Sequence, residues 1–96
     1  MRVKTICDEV VKWRKSKKFE TNWDNMPIKL MLVVTELAEA CEAHRNGDRK
    51  NFNEEIADTF IRLFDIAGSV DIDLEKEISD KMAINWGRSE KHGKLY

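Results

Sequence analysis

The stretch "LMLVVTELAEACEA" sets Glu36, Glu39 and Glu42 at every third position of an otherwise apolar run. On a helix, residues three apart share one face, so Glu36 and Glu39 project side by side. A second stretch, "EEIADTF", places Glu55 and Asp58 at the same spacing. Two such helices joined by a short loop pack antiparallel, and the acid pairs then face each other. Carboxylates brought that close repel and raise one another's pKa unless a cation compensates. The chemistry to expect is therefore metal binding. All-oxygen ligation suits hard Mg²⁺, with Mn²⁺ as a possible substitute, and both bind substrate phosphates as well. Iron carboxylate bundles use Glu-x-x-His, and no histidine stands three residues after any of these acids. A single Glu-x-x-Glu is ordinary on a solvated helix. Two acid pairs set among apolar residues on consecutive helices are not. Glu42 reads as the solvated continuation of the first row.

The elements that must position these acids follow from periodicity and turn chemistry. Val3, Ile6, Cys7, Val10 and Val11 fit a helix that fades in the basic "RKSKK". After the turn-forming "FETNWDNMP", Asp24 or Asn25 caps a second helix with Pro27 in its first turn. That helix is apolar nearly all round in its first half and stops at Asn46-Gly47. A third is expected from about Asn51, where "NFNE" offers a capping-box variant, and Gly68 is expected to close it. Its apolar row is Phe52, Ile56, Phe60, Leu63, Phe64 and Ala67. The fourth starts at Asp71 or Asp73, uses Leu74, Ile78 and Met82, and ends at Gly87. Nothing reads as a strand. The expected fold is all-α: one domain over residues 1–96, a four-to-five-helix antiparallel bundle completed by homo-oligomerisation. A chain this short with doubly apolar helices needs a second copy to cover them.

Seventeen Lys and Arg against 18 Asp and Glu give near balance, so no bulk attraction to a nucleic acid polymer or an anionic membrane is implied. The acids gather in the middle of the chain and the bases at its two ends. No apolar stretch is long enough to span a membrane. Cys7 and Cys41 lie among apolar residues without metal-type spacing and read as reduced core thiols of a cytoplasmic chain. Trp13 and Trp86 read as core or interface.

With both acid pairs in view, the sequence resembles the MazG-like family of all-α nucleoside triphosphate pyrophosphohydrolases. The likeness rests on "ELAE" (Glu36, Glu39) followed by "EIAD" (Glu55, Asp58), and on the ending "KMAINWGRSEKHGKLY". It covers roughly Pro27 to Tyr96. The resemblance implies a Mg²⁺-dependent cut between the α- and β-phosphates of an NTP or dNTP, giving a monophosphate and pyrophosphate. By motif position, Glu36, Glu39, Glu55 and Asp58 would hold the metal, and Glu36 or Glu39 would position or deprotonate the attacking water. Lys81, Asn85, Arg88 and Lys91 would meet phosphate and sugar. Several relatives carry a base-stacking tryptophan soon after the first acid pair, where this chain has Ala43-His44. Base recognition is then expected from His44 or from Trp23 in the preceding loop. A dimer, or a dimer of dimers, is the expected assembly.

Two other readings are compatible with the same residues. One is a non-catalytic helical dimer, a regulator or antitoxin-like partner, whose acids form a surface patch. The other is a related pyrophosphohydrolase acting on a phosphoribosyl nucleotide.

Overall fold

The computed structural model describes residues 2–88. Four helices occur in the order α1 (Val3–Ser16), α2 (Met26–Arg45), α3 (Arg49–Ser69) and α4 (Leu74–Trp86), and the described residues form no strand. None of these helices is long and apolar enough to cross a membrane.

The local start and stop signals act where side-chain chemistry demands them. Asn22 and Asn25 lock the α1–α2 turn: each backbone N–H donates to the other's Oδ1, at 2.9 and 3.0 Å. Pro27 then sits in the first turn of α2, where its missing N–H costs nothing. Gly47, at φ +68°, makes the reversal into α3 in the left-handed region open to glycine. Helix α3 begins two residues before the expected Asn51, because Asp48 is the better cap; its carboxylate accepts from the Asn51 N–H at 3.0 Å. Asp73 caps α4 in the same way, accepting from the Lys76 N–H at 3.2 Å.

Helix α3 is the centre of the packing, with α2 on one side and α1 on another, and α4 packs chiefly on α1. Gly68 does not close α3 as expected, for the helix runs on to Ser69. Its role is steric. A Cβ there would stand 2.7 Å from Val11 Cγ2 and 3.2 Å from the Cys7 carbonyl oxygen. Glycine thus lets α1 lie directly on α3. Gly68→Ala gains about 1 kcal/mol of helix propensity but overpacks this crossing by about 1–3 kcal/mol. The expected result is a lower midpoint in a urea melt, and an unchanged or raised midpoint would contradict the close contact.

The small core consists of Cys7, Val33, Ala40, Ala43, Ile66 and Ala67. Burial raises the Cys7 thiol pKa, with Asp8 adding to the effect, so it stays protonated. Cys41 is not a core thiol: it is exposed, because α2 turns Val33, Glu36, Ala40 and Ala43 inward and carries Cys41 on another side. Trp13 and Trp86 are likewise outside the core of the single chain, at 57% and 83% exposure. Phe60 and Leu63 also face out, because the apolar row of α3 is wider than the two helices that cover it.

One buried polar knot ties three elements together. Asp65 on α3 accepts from Arg14 Nε at 2.9 Å and from the hydroxyls of Thr21 and Ser69. The Arg14 guanidinium also donates to the Phe19 carbonyl oxygen at 3.0 Å and to Ser69 Oγ at 2.6 Å. The end of α1, the following loop and the last turns of α3 are therefore held as one block. By contrast α4 buries no residue of its own, and the α1 N-terminus meets it through one hydrogen bond, Val3 N–H to Glu75 Oε1 at 2.9 Å.

Candidate metal centre

Antiparallel packing of α2 on α3 sets rising numbers on one helix against falling numbers on the other. Glu39 thus comes opposite Glu55, and Glu36 opposite Arg62. Oxygens of Glu36, Glu39 and Glu55 lie within 4.8 Å of one another. Glu36 is buried, Glu55 half-buried and Glu39 exposed, so the cluster opens from the helix interface toward solvent. A cleft of about 240 Å³ lies beside it, lined by Glu39, Glu42, Asp48, Asn51 and Glu55 among others.

The charges are not left alone. Arg62 Nε donates to Glu36 Oε1 at 3.0 Å and neutralises the innermost acid. By helical spacing alone Arg62 can reach the site, Asp58 or Asp65. Its position, seven residues after Glu55, places it on the same stripe of α3. Glu55 Oε2 is closed off from solvent and has no hydrogen-bond partner. The Glu55 pKa is pushed up to about 7, first by the hydrogen-bonding influence of the neighbouring Glu39 carboxylate, with desolvation, Glu36 and repulsion from both acids adding to it.

This has a measurable consequence without any metal. An unfolded Glu55 ionises near its usual 4.5, whereas the folded one keeps its proton to about 7. Across that window the folded chain binds more protons, so stability falls as pH rises, and the loss is complete above about 7. Thermal melts in EDTA should therefore show Tm falling through this window. Glu55→Gln should flatten that slope, and equal slopes in both proteins would contradict the raised Glu55 pKa.

The donor set fits a hard divalent cation: three carboxylates, one of them carrying an unpartnered oxygen, converge at the edge of a polar cleft. Asp58 shares the Glu55–Arg62 stripe but is exposed, and its carboxylate is not among the converging three. Glu42 lines the cleft without joining the trio. His44 sits at the end of α2 with its ring 6.3 Å from that of Phe52, and Trp23 stands 76% exposed in the α1–α2 loop. Lys81 and Asn85 are exposed on α4 and Arg88 just beyond it, and none of them lines the acidic cleft. Lys91 lies outside the described residues. No family model, no curated protein and no solved structure matches the chain.

Proposed function

We propose that this protein is a Mg²⁺-dependent pyrophosphohydrolase of nucleoside triphosphates, a MazG-like enzyme of cytoplasmic nucleotide-pool housekeeping. The observation that carries the reading is the convergence of Glu36, Glu39 and Glu55 from the two motif-bearing helices. A passive helical partner has no need of three mutually repelling acids at one point. Glu36, Glu39 and Glu55 would hold the metal, with Asp58 their fourth by motif. When bound, it would polarise the phosphoryl group and lower the pKa of water.

The protein's own groups divide the remaining work. Glu36 is committed to Arg62, which leaves Glu39, exposed at the mouth of the cluster, as the carboxylate to orient the attacking water and take its proton. Arg62 is placed to hold Glu36 in position. Lys81, Asn85, Arg88 and Lys91 would stabilise the charge that moves onto departing pyrophosphate.

We also assign a second copy of the chain as part of the working unit. Leu30, Val34 and Leu37 form an exposed apolar stripe on α2, and Phe60 and Leu63 are exposed on α3. The radius of gyration is 15.7 Å, against about 13 Å for a compact domain of this length. Both features support a self-association that covers this face.

The test is a panel of NTPs, dNTPs and phosphoribosyl nucleotides, scored for pyrophosphate release with Mg²⁺ or Mn²⁺. Release from NTPs or dNTPs is expected. Release from none of them with either metal would end the reading, and release from the phosphoribosyl nucleotides alone would redirect it.

A further inference from the structure

A cavity of about 460 Å³ opens between the first turns of α1, the end of α3 and the start of α4, and none of the acid trio lines it. Its floor is the buried pair Cys7 and Ala67, and Ile72 and Leu74 add apolar wall. Cys7 is a free thiol only 4% exposed, and it enters no side-chain hydrogen bond among the described residues. Buried polar groups in folded proteins are normally partnered. A protonated thiol facing a cavity of small-ligand size is therefore a donor waiting for an occupant.

The rim is acidic: Asp8, Asp71, Asp73 and Glu75 line it against Arg2 and Lys4. Three of these acids are already engaged. Asp8 pairs with Lys4 at 3.3 Å, Asp73 caps α4, and Glu75 accepts from the Val3 N–H. Asp71 enters no hydrogen bond or ion pair among the described residues, so its carboxylate is left to a ligand.

This lining narrows the chemistry of the occupant. A hard divalent ion needs several converging oxygens, and here one uncommitted carboxylate stands above an apolar floor. An anion would meet a rim richer in carboxylates than in cations. An ammonium group on a short apolar body satisfies both parts, with its charge at Asp71 and its carbons on Ala67, Ile72 and Leu74.

We infer that this cavity binds a small alkylammonium ion, and that the bound ion fastens α4 to the block formed by α1 and α3. Helix α4 buries no residue of its own, and its N-terminal turn meets α1 through the single Val3–Glu75 hydrogen bond. An occupant touching all three helices supplies the contact that the empty chain lacks, and it slows the local openings of α4. The inference goes beyond the proposed hydrolysis and does not depend on it. On that reading the ion would act as an effector, because Lys81 and Asn85 ride on the helix it holds.

The experiment titrates the protein with isopentylammonium, isopentanol and isovalerate, which share one carbon skeleton and differ in head group. It follows the amide resonances of Cys7, Ala67 and Leu74 and the deuterium exchange of α4, in wild type and Asp71→Asn. Asp71 sits at φ +57°, a conformation asparagine also tolerates, so the variant keeps the turn. The ammonium ion should shift these resonances saturably and slow α4 exchange, and the alcohol and carboxylate should bind at least about 10-fold more weakly. Asp71→Asn should weaken ammonium binding about 10- to 100-fold, the scale of one hydrogen bond to a charged group. Equal binding of all three compounds, no saturable shift, or an unaffected Asp71→Asn variant overturns the site. Binding that leaves α4 exchange unchanged overturns the fastening. No substrate enters the measurement, so an inactive protein would end the hydrolase reading and leave this result standing.

Discussion

Asp65→Ala is expected to cost about 3–5 kcal/mol of stability. The carboxylate is the hub of a knot in which Arg14, Thr21 and Ser69 all donate to it. The side chains of Arg14 and Asp65 are only 10% and 12% exposed, so solvent screens the pair poorly. Removing Asp65 strands the guanidinium among apolar neighbours without its counter-charge. A domain of this size holds about 5–15 kcal/mol in all, so the variant should lose a large share of its stability. The double variant Arg14→Met/Asp65→Leu should recover much of the loss, because it removes both desolvated charges. A urea melt of the three proteins decides it. If Asp65→Ala costs under about 1 kcal/mol, the knot is a solvated contact.

Glu39→Gln should separate activity from stability. It removes the proposed proton acceptor and one member of the converging trio, so kcat should fall at least about 100-fold, on the scale of losing one preorganised group. Stability should move the other way. The amide keeps the shape of glutamate, carries no charge and can donate to Glu55, which removes the main cause of that residue's raised pKa. At pH 8 in EDTA the variant should melt above wild type, and the Mg²⁺-induced rise in Tm should shrink. Such opposition is what a site strained for function predicts. Full activity in the variant, or an undiminished Mg²⁺ shift, would count directly against the metal centre.

The sequence carried the local facts well and the long-range ones poorly. Pro27, Asn46-Gly47, Asp73 and Gly87 mark helix ends through backbone chemistry that needs no partner, and these ends lie where expected. The facing of Glu39 and Glu55 was legible because one short loop fixes antiparallel packing. Asp58 was not, because spacing gives a residue's stripe but not how far its side chain leans out. Cys7 and Cys41 look alike in sequence and differ in burial, since an apolar neighbourhood does not say which side of a doubly apolar helix is covered. Gly68 read as a terminator because its role depends on Cys7 and Val11, far away along the chain. The Arg14–Asp65 pair joins residues 51 positions apart and leaves no local pattern.

Helix α4 gives the molecule an uneven grain. Since it buries no residue and packs chiefly on α1, it can open without disturbing the α2–α3 pair or the Asp65 knot. In an isolated chain its amides should exchange with deuterium through local openings, while those of α2 and α3 wait for global unfolding. Lys81 and Asn85 therefore ride on the least protected segment of the described chain, and the acids they are proposed to serve sit on the most protected. On the proposed mechanism the carboxylates would form a fixed anvil, and the cations would arrive on an arm whose final placement is left to whatever it closes upon.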